Sequence, residues 1–361
     1  MSIRPSQWIS EAGDPPPDAV HPIDDRAGAA ATLERLKAGE TLLWTGQYKN
    51  GRHFLKALAK RLAGRPSRGQ GSLAQRWRSD RLDRGAQAHI LGRLLVQIRP
   101  DGSVVSGKAP DTVEAVHWAW GRSDEDRFVG FRTLLGAVSA AAWRRRGVEV
   151  PGLEGSIIPH YGVFSPTRTA YVELVNEALD DQPLSVLDMG CGTGVLGFLA
   201  LQRGAASVVG VDIEPRAVQC ALDNAMQLGL ADRYAAKEQD LFADLGRFDR
   251  VIFNAPWVPE APRTRLDRSV YDSGGQAVQQ WLHQVGAHLT DGGQGWLILS
   301  DFPEHLGLRP AGAIEATIAA AGLRVLAHPT RKASHRKVQE TTDPLHHARS
   351  QEQIHLWILG A

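Results

Sequence analysis

Three glycines at alternate positions behind an apolar run are the first residues in this chain that could do chemistry. Val186-Leu187-Asp188-Met189 leads into Gly190-Cys191-Gly192-Thr193-Gly194, and a helix-like stretch begins at Val195. This reads as strand, tight turn, helix. Glycine reaches positive φ freely and lets another molecule lie directly on bare main chain. The first N–H groups of the following helix lack internal partners, so they offer donors to a polar or anionic ligand. A glycine-rich turn alone does not choose the ligand, since dinucleotide enzymes use a related turn with different spacing. The next strand candidate, Val208-Val209-Gly210-Val211-Asp212-Ile213, ends in an acid where a ribose diol would be held.

Two further segments follow in order: Asp240-Leu241-Phe242, then Phe248-Asp249-Arg250-Val251-Ile252-Phe253-Asn254-Ala255-Pro256-Trp257. The set resembles the class I S-adenosylmethionine-dependent methyltransferases, in the branch with an Asn-Pro-Pro-aromatic tetrapeptide after the fourth strand. That branch includes glutamine methyltransferases of release factors and ribosomal proteins, and amino-methylating enzymes of adenine or guanine. The resemblance covers roughly Ile157 to Gly360. It implies S-adenosylmethionine as cofactor, with Gly190, Gly192 and Gly194 against its methionine part and Asp188 orienting its amino group. Asp212, with Ile213 beside it, would take both ribose hydroxyls, a bidentate geometry suited to a carboxylate. Asp240 and Leu241 would flank the adenine.

The tetrapeptide implies the reaction type. An amide or aromatic amine is a poor nucleophile because its lone pair is delocalised into the π-system. Two oxygens beside the NH2 group draw its hydrogens aside and aim the lone pair at the sulfonium methyl. In the resembled motif these are the Asn254 side-chain oxygen, which also borders the cofactor, and the backbone carbonyl of Ala255. Pro256 would shape the turn and Trp257 would stack on the planar target. Alignment and desolvation would supply most of the rate. Alanine at 255 departs from the usual proline, which removes one fixed φ while keeping a carbonyl. The plainer alternative is a strand-ending turn with a core tryptophan.

Ahead of the first glycine strand, His160-Tyr161-Gly162-Val163-Phe164-Ser165-Pro166-Thr167-Arg168 resembles the family segment that folds over the cofactor. Phe164 and Arg168 are therefore candidate substrate residues, the alternative being an ordinary hairpin. Residues 257–275 are rich in proline and charge and contain Tyr271, a further substrate candidate. A loop of this length is uncommon unless functional, so a lid over the acceptor is expected, against a variable surface insertion. His335, His346, His347 and His355 match no zinc spacing, and no metal is expected.

These residues need elements to position them. The second half alternates strand and helix, predicting strands at 184–190, 207–213, 234–239, 248–254, 293–300, 323–328 and 353–359. The expected fold is α/β: a Rossmann-like doubly wound sheet finished by a C-terminal antiparallel hairpin, over residues 151–361. A mostly helical, basic substrate-recognition domain is expected over 28–150, with helices at 29–38, 52–62, 73–98 and 128–146. Residues 1–27, with Asp14-Pro15-Pro16-Pro17-Asp18, read as a flexible arm.

The chain has 361 residues, enough for two domains, and a formal net charge of +1. Its charge is unevenly spread. Between Lys49 and Arg99 the bases are Lys49, Arg52, Lys56, Lys60, Arg61, Arg65, Arg68, Arg76, Arg78, Arg81, Arg84, Arg93 and Arg99, against Asp80 and Asp83 alone. With Tyr48, His53, Phe54 and Trp77 interleaved, the segment suits a phosphate-tracking surface, so RNA joins protein as a candidate partner. The bland alternative is an arginine-rich helical domain that binds nothing anionic. Two cysteines, Cys191 and Cys220, make no disulfide framework. No apolar run is long enough to span a membrane, and the polar N-terminus lacks a signal-peptide core, so cytoplasm is the expected compartment.

The leading expectation is an S-adenosylmethionine-dependent N-methyltransferase acting on a planar NH2 group, in a protein amide or a nucleic-acid base. Small-molecule methylation in a biosynthetic pathway and a non-catalytic cofactor-binding subunit are the alternatives. Oligomeric state is not legible.

Overall fold

The computed structural model describes residues 1–63, 71–107, 109, 112–334, 336–341 and 343–361. The chain divides into two compact units, Met1–Ala142 and Trp143–Ala361. The helix α5 (Phe131–Arg146) contains the division, so the boundary falls ahead of the expected residue 150.

The first unit is built on a sheet, which corrects the expectation of a helical domain behind a loose arm. Its strands are β1 (Trp8–Ile9), β2 (Val20–Ile23), β3 (Thr41–Trp44), β4 (Leu94–Ile98) and β5 (Arg127–Gly130), in the order β1-β5-β4-β3-β2. Two of these strands lie in the supposed arm. Proline can sit in β2 because that strand is at the sheet edge, where one N–H can be spared. The helices are α1 (Ala29–Lys37), α2 (Tyr48–Leu62), α3 (Leu73–Gly92), α4 (Thr112–Trp120) and α5. The helix expected over 73–98 stops at Gly92, and Leu94-Leu95-Val96-Gln97-Ile98 becomes the central strand, four of its side chains fully buried. A short apolar run cannot be assigned to helix or strand by periodicity alone.

The second unit opens with a small hairpin of β6 (Val148–Glu149) and β7 (Ser156–Ile157), followed by helix α6 (Ala170–Ala178). Then come β8 (Ser185–Met189), α7 (Val195–Gln202), β9 (Ser207–Asp212), α8 (Pro215–Gln227), β10 (Tyr234–Glu238), β11 (Phe248–Asn254), α9 (Gln276–Val285) and β12 (Leu289–Ser300). Helices α10 (Phe302–Leu306) and α11 (Ala313–Ala320), strands β13 (Arg324–Ala327) and β14 (Thr330–Lys332), helices α12 (Arg336–Gln339) and α13 (His346–Gln351), and β15 (Gln353–Gly360) complete it.

The sheet order is β10-β9-β8-β11-β12-β15-β13, with β14 also pairing β15. Strands β8 to β12 are parallel, and β15 runs antiparallel between β12 and β13. This is the expected doubly wound sheet with its closing hairpin; only β14 escaped the sequence reading. Alternation places Val186, Ile252, Trp296 and Ile298 in the core on one face, and Leu187, Val251, Phe253, Leu297 and Leu299 in the core on the other. Burial on both faces explains why these strands read as continuous apolar runs. Strand order reverses between β8 and β11, and open sheets of this kind bind ligands outside the carboxyl ends there.

Candidate active site

A cleft of about 1100 Å³, open to solvent on one side, lies at that reversal. The turn after β8 forms its floor. Gly190 and Gly192 hold φ of 63° and 54°, a region costly for any residue with a Cβ. A Cβ added at Gly192 would meet nothing closer than 3.9 Å, so the space above this backbone is free for a ligand. Gly194, at φ 83°, caps α7 and does not line the cleft; a Cβ there would strike the Phe198 ring at 2.4 Å.

Asp212, at the end of β9, is locked by backbone donors. Its Oδ2 accepts from Gly192 N at 3.0 Å and its Oδ1 from Glu214 N at 2.9 Å. Each oxygen retains a lone pair for a further donor. Burial pushes the Asp212 pKa up. Asp188 lines the cleft at 2% exposure, and its Oδ2 accepts from Gly197 N at 3.0 Å. Burial raises its pKa to about 8, with the Asp212 charge adding to the shift.

This buried acid makes the ligand-free protein pH-sensitive. The folded chain keeps the Asp188 proton up to about pH 8, whereas the unfolded chain releases it near pH 4. The native state binds the extra proton across that window, so this group's contribution makes stability fall as pH rises through it. A cationic ligand beside Asp188 reverses the preference and expels the proton. Calorimetry at pH 7 in buffers of differing ionisation enthalpy should therefore record proton release on binding S-adenosylmethionine, vanishing above about pH 9 and in Asp188→Asn.

Apolar surface faces the cleft where a flat ring would lie. Ile213 and Leu266 line it while remaining 44% and 47% exposed, unusual for large apolar side chains. Asp240 and Leu241 complete that wall. Leu241 holds φ 48°, a strained conformation for a branched residue, and its carbonyl accepts from Gln239 Nε2 at 2.9 Å. Gln239 lines the cleft too and was not singled out from the sequence; nothing in its local pattern marks it. The glycine cradle, the acids and the open apolar wall fit S-adenosylmethionine, which carries an ammonium, a ribose diol and an adenine.

Asn254 ends β11 at the lip of the same cleft, with Pro256 and Phe164. Its Oδ1 accepts from Trp257 Nε1 at 3.1 Å. Trp257 is thus a brace for Asn254, and its ring packs on the core and lines a second, smaller cavity with Arg168. Ala255 is 1% exposed within the core. Tyr271 lines neither cavity; it bridges Val258 at the base of the following loop.

A further brace was invisible in the sequence. Arg309 donates to Trp257 O at 3.3 Å and Ser300 O at 2.7 Å, and pairs with Glu304 at 2.6 Å. It pins the main chain after Asn254 to the end of β12, joining residues far apart in sequence. Trp257→Phe keeps the packing and removes the indole donor. Turnover should fall about tenfold or more with acceptor KM and cofactor Kd little changed, since a slackened Asn254 loses alignment. Single-turnover methyl transfer measures it.

Residues 258–272 close on themselves: Val258 N donates to Val270 O and Asp272 N to Val258 O, both at 2.9 Å. The tip, a 3-10 turn at Leu266–Ser269, faces the cofactor cleft, and Arg268 pairs with Glu214 at 3.1 Å across it. The segment expected as a lid over the acceptor thus lines the same cleft as the glycine turn and Asp212.

Around Lys49 to Arg99, Arg65 and Arg68 fall outside the described residues. Lys49, Arg52, Lys56, Lys60, Arg61, Arg76, Arg78 and Arg84 are exposed, but Tyr48 and Trp77 are buried and Phe54 stacks on Trp44 at 5.1 Å. These aromatics serve the core and offer no stacking platform. His335 is outside the described residues, and among the described residues no group of three His, Cys, Asp or Glu is placed to hold a metal. No helix among them is long and apolar enough to cross a membrane.

Known proteins similar to this chain include methyltransferases. Residues 154–311 match the family model of the methyltransferase small domain. A Methanocaldococcus jannaschii protein named for N5-glutamine methylation is 29% identical over 153 residues, covering 40% of this chain and 75% of that relative. The ribosomal protein L11 methyltransferase of Aeromonas hydrophila subsp. hydrophila is 45% identical over 90 residues, covering 24% of this chain and 31% of its own length. This chain thus spans under a third of that enzyme. A solved ribosomal protein L11 methylase from Lactobacillus delbrueckii subsp. bulgaricus aligns with TM-score 0.37 at 22% identity, over 52% of this chain and 74% of that one. Residues 154–311 thus carry a domain similar to the methyltransferase small domain, in which S-adenosylmethionine is the cofactor.

Proposed function

We propose that this chain methylates a planar NH2 nitrogen, and that the acceptor is a glutamine or asparagine amide in a protein of the translation apparatus. The observation that carries the reading is the placement of Asn254 at the lip of the cleft formed by the glycine turn and Asp212. One relative is named for protein N5-glutamine methylation and another for methylation of ribosomal protein L11; the first name supports an amide acceptor and both support a protein one.

The cofactor supplies an electrophilic methyl on sulfur. The chain's residues do the rest. Asp212 would hold the ribose, Asp188 the amino group, and Ile213, Leu241 and Leu266 the adenine. Asn254 Oδ1 and the Ala255 carbonyl would accept the two hydrogens of the NH2 group and localise its lone pair. The attacking nitrogen is neutral and its product sheds the proton afterwards, so no strong base is required.

Incubating the protein with isotopically labelled cofactor and cell extract tests this. Label on a side-chain amide in digested peptides is the expected result; label confined to oxygen or carbon of small metabolites overturns it. A base amine in RNA is the second reading, favoured by the exposed cations of α2 and α3. It predicts label in nucleosides and RNA affinity that falls steeply with salt.

A further inference from the structure

The second cavity, about 370 Å³, is lined by Thr167, Arg168, Thr169, Trp257 and Ser334 among others, and Tyr171 lines both it and the cofactor cleft. Trp257, which braces Asn254, forms part of its wall. Its distinctive member is Arg168. The guanidinium is half-buried yet makes no hydrogen bond and no ion pair among the described residues, whereas Arg250, Arg309, Arg331 and Arg349 of the same unit are each paired with a carboxylate.

The charged groups that act on Arg168 do not satisfy it. Glu352 attracts it, but that carboxylate is 2% exposed and accepts from Ser300 Oγ at 2.8 Å. Arg349 repels it and is committed to Asp343; Tyr271 adds a weaker attraction. Burial, with the Arg349 repulsion added, outweighs the two attractions and leaves the cation short of stabilisation. A partly desolvated guanidinium with five free donors is matched by a planar oxyanion. Three hydroxyls, of Thr167, Thr169 and Ser334, line the same space, and the Thr169 hydroxyl is not spent on capping α6. Among the described residues no carboxylate lines it.

The geometry points to an oxyanion subsite at Arg168 that binds a carboxylate or phosphate of the methyl acceptor, so that the acceptor carries its NH2 group close to a negative charge. This deepens the proposed function and rests on it for the identity of the bound molecule. The anion on Arg168 anchors the acceptor in the cavity that Trp257 also lines, while Asn254, held by the Trp257 indole, takes the NH2 group.

Binding measured without turnover separates the two claims. The full chain, saturated with S-adenosylhomocysteine, is titrated with two pairs matched in their NH2 group: N-acetylglutamine against N-acetylglutaminamide, and adenosine monophosphate against adenosine. The anionic member of one pair should bind about tenfold more tightly or better, and which pair shows it distinguishes carboxylate from phosphate. The gap should close in Arg168→Gln and partly return in Arg168→Lys, with S-adenosylhomocysteine affinity and thermal unfolding unchanged. Equal affinities within both pairs, a gap that survives Arg168→Gln, or no binding of either anion up to about 20 mM overturns the subsite. These readouts are independent of whether Asn254 directs methyl transfer.

Discussion

Asn254→Ala is expected to lower kcat by about a hundredfold to a thousandfold, the scale seen when one preorganised hydrogen-bonding group is removed from an active site. Cofactor Kd should stay close to its original value. The side chain ends β11 at the cleft lip, and its Oδ1 is oriented by the Trp257 indole. Alanine leaves the strand intact, because the β11–β12 and β11–β8 ladders are backbone bonds. The lost piece is one of two acceptors that align the NH2 group. Turnover measured beside calorimetric cofactor binding decides the matter. Unchanged turnover would remove Asn254 from the chemistry and with it the amide-directed mechanism. Asn254→Asp is a sharper variant: it keeps an acceptor oxygen of the same reach, so it should retain more activity than alanine.

Asp212→Ala is expected to weaken S-adenosylmethionine by about a hundredfold, near 3 kcal/mol, as hydrogen bonds from a carboxylate to two hydroxyls are lost. Part of that cost arises in the protein itself. The carboxylate also accepts from Gly192 N and Glu214 N, so alanine orphans two backbone donors and loosens the glycine turn. Asp212→Asn separates the two contributions, since its amide oxygen can still serve one of those donors. Asparagine should therefore cost less than alanine in affinity and in thermal stability. Affinities equal to wild type in both variants would place the ribose elsewhere.

The centre of the main sheet was legible because β8, β11 and β12 are buried on both faces, and a fully apolar run before a glycine turn has few alternatives. The first unit was misread for a related reason. Leu94–Ile98 is also a short apolar run, but it follows directly on a helix with no glycine or proline cluster between, so period alone extended the helix. Residues 1–27 looked extended and proline-rich, and that composition also suits an edge strand.

Local order determined the residues at the carboxyl ends of β8, β9, β10 and β11, because a parallel sheet places every such end on one rim. Gly190, Gly192, Asp212, Asp240 and Asn254 were found this way. What the side chains do there was decided by tertiary contacts. Trp257 reads as a stacking platform in sequence, but its indole donates to Asn254 and its ring packs on the core and lines the second cavity. The Arg309–Glu304 brace and the unpaired state of Arg168 depend on segments brought together by folding, and no spacing along the chain records such meetings.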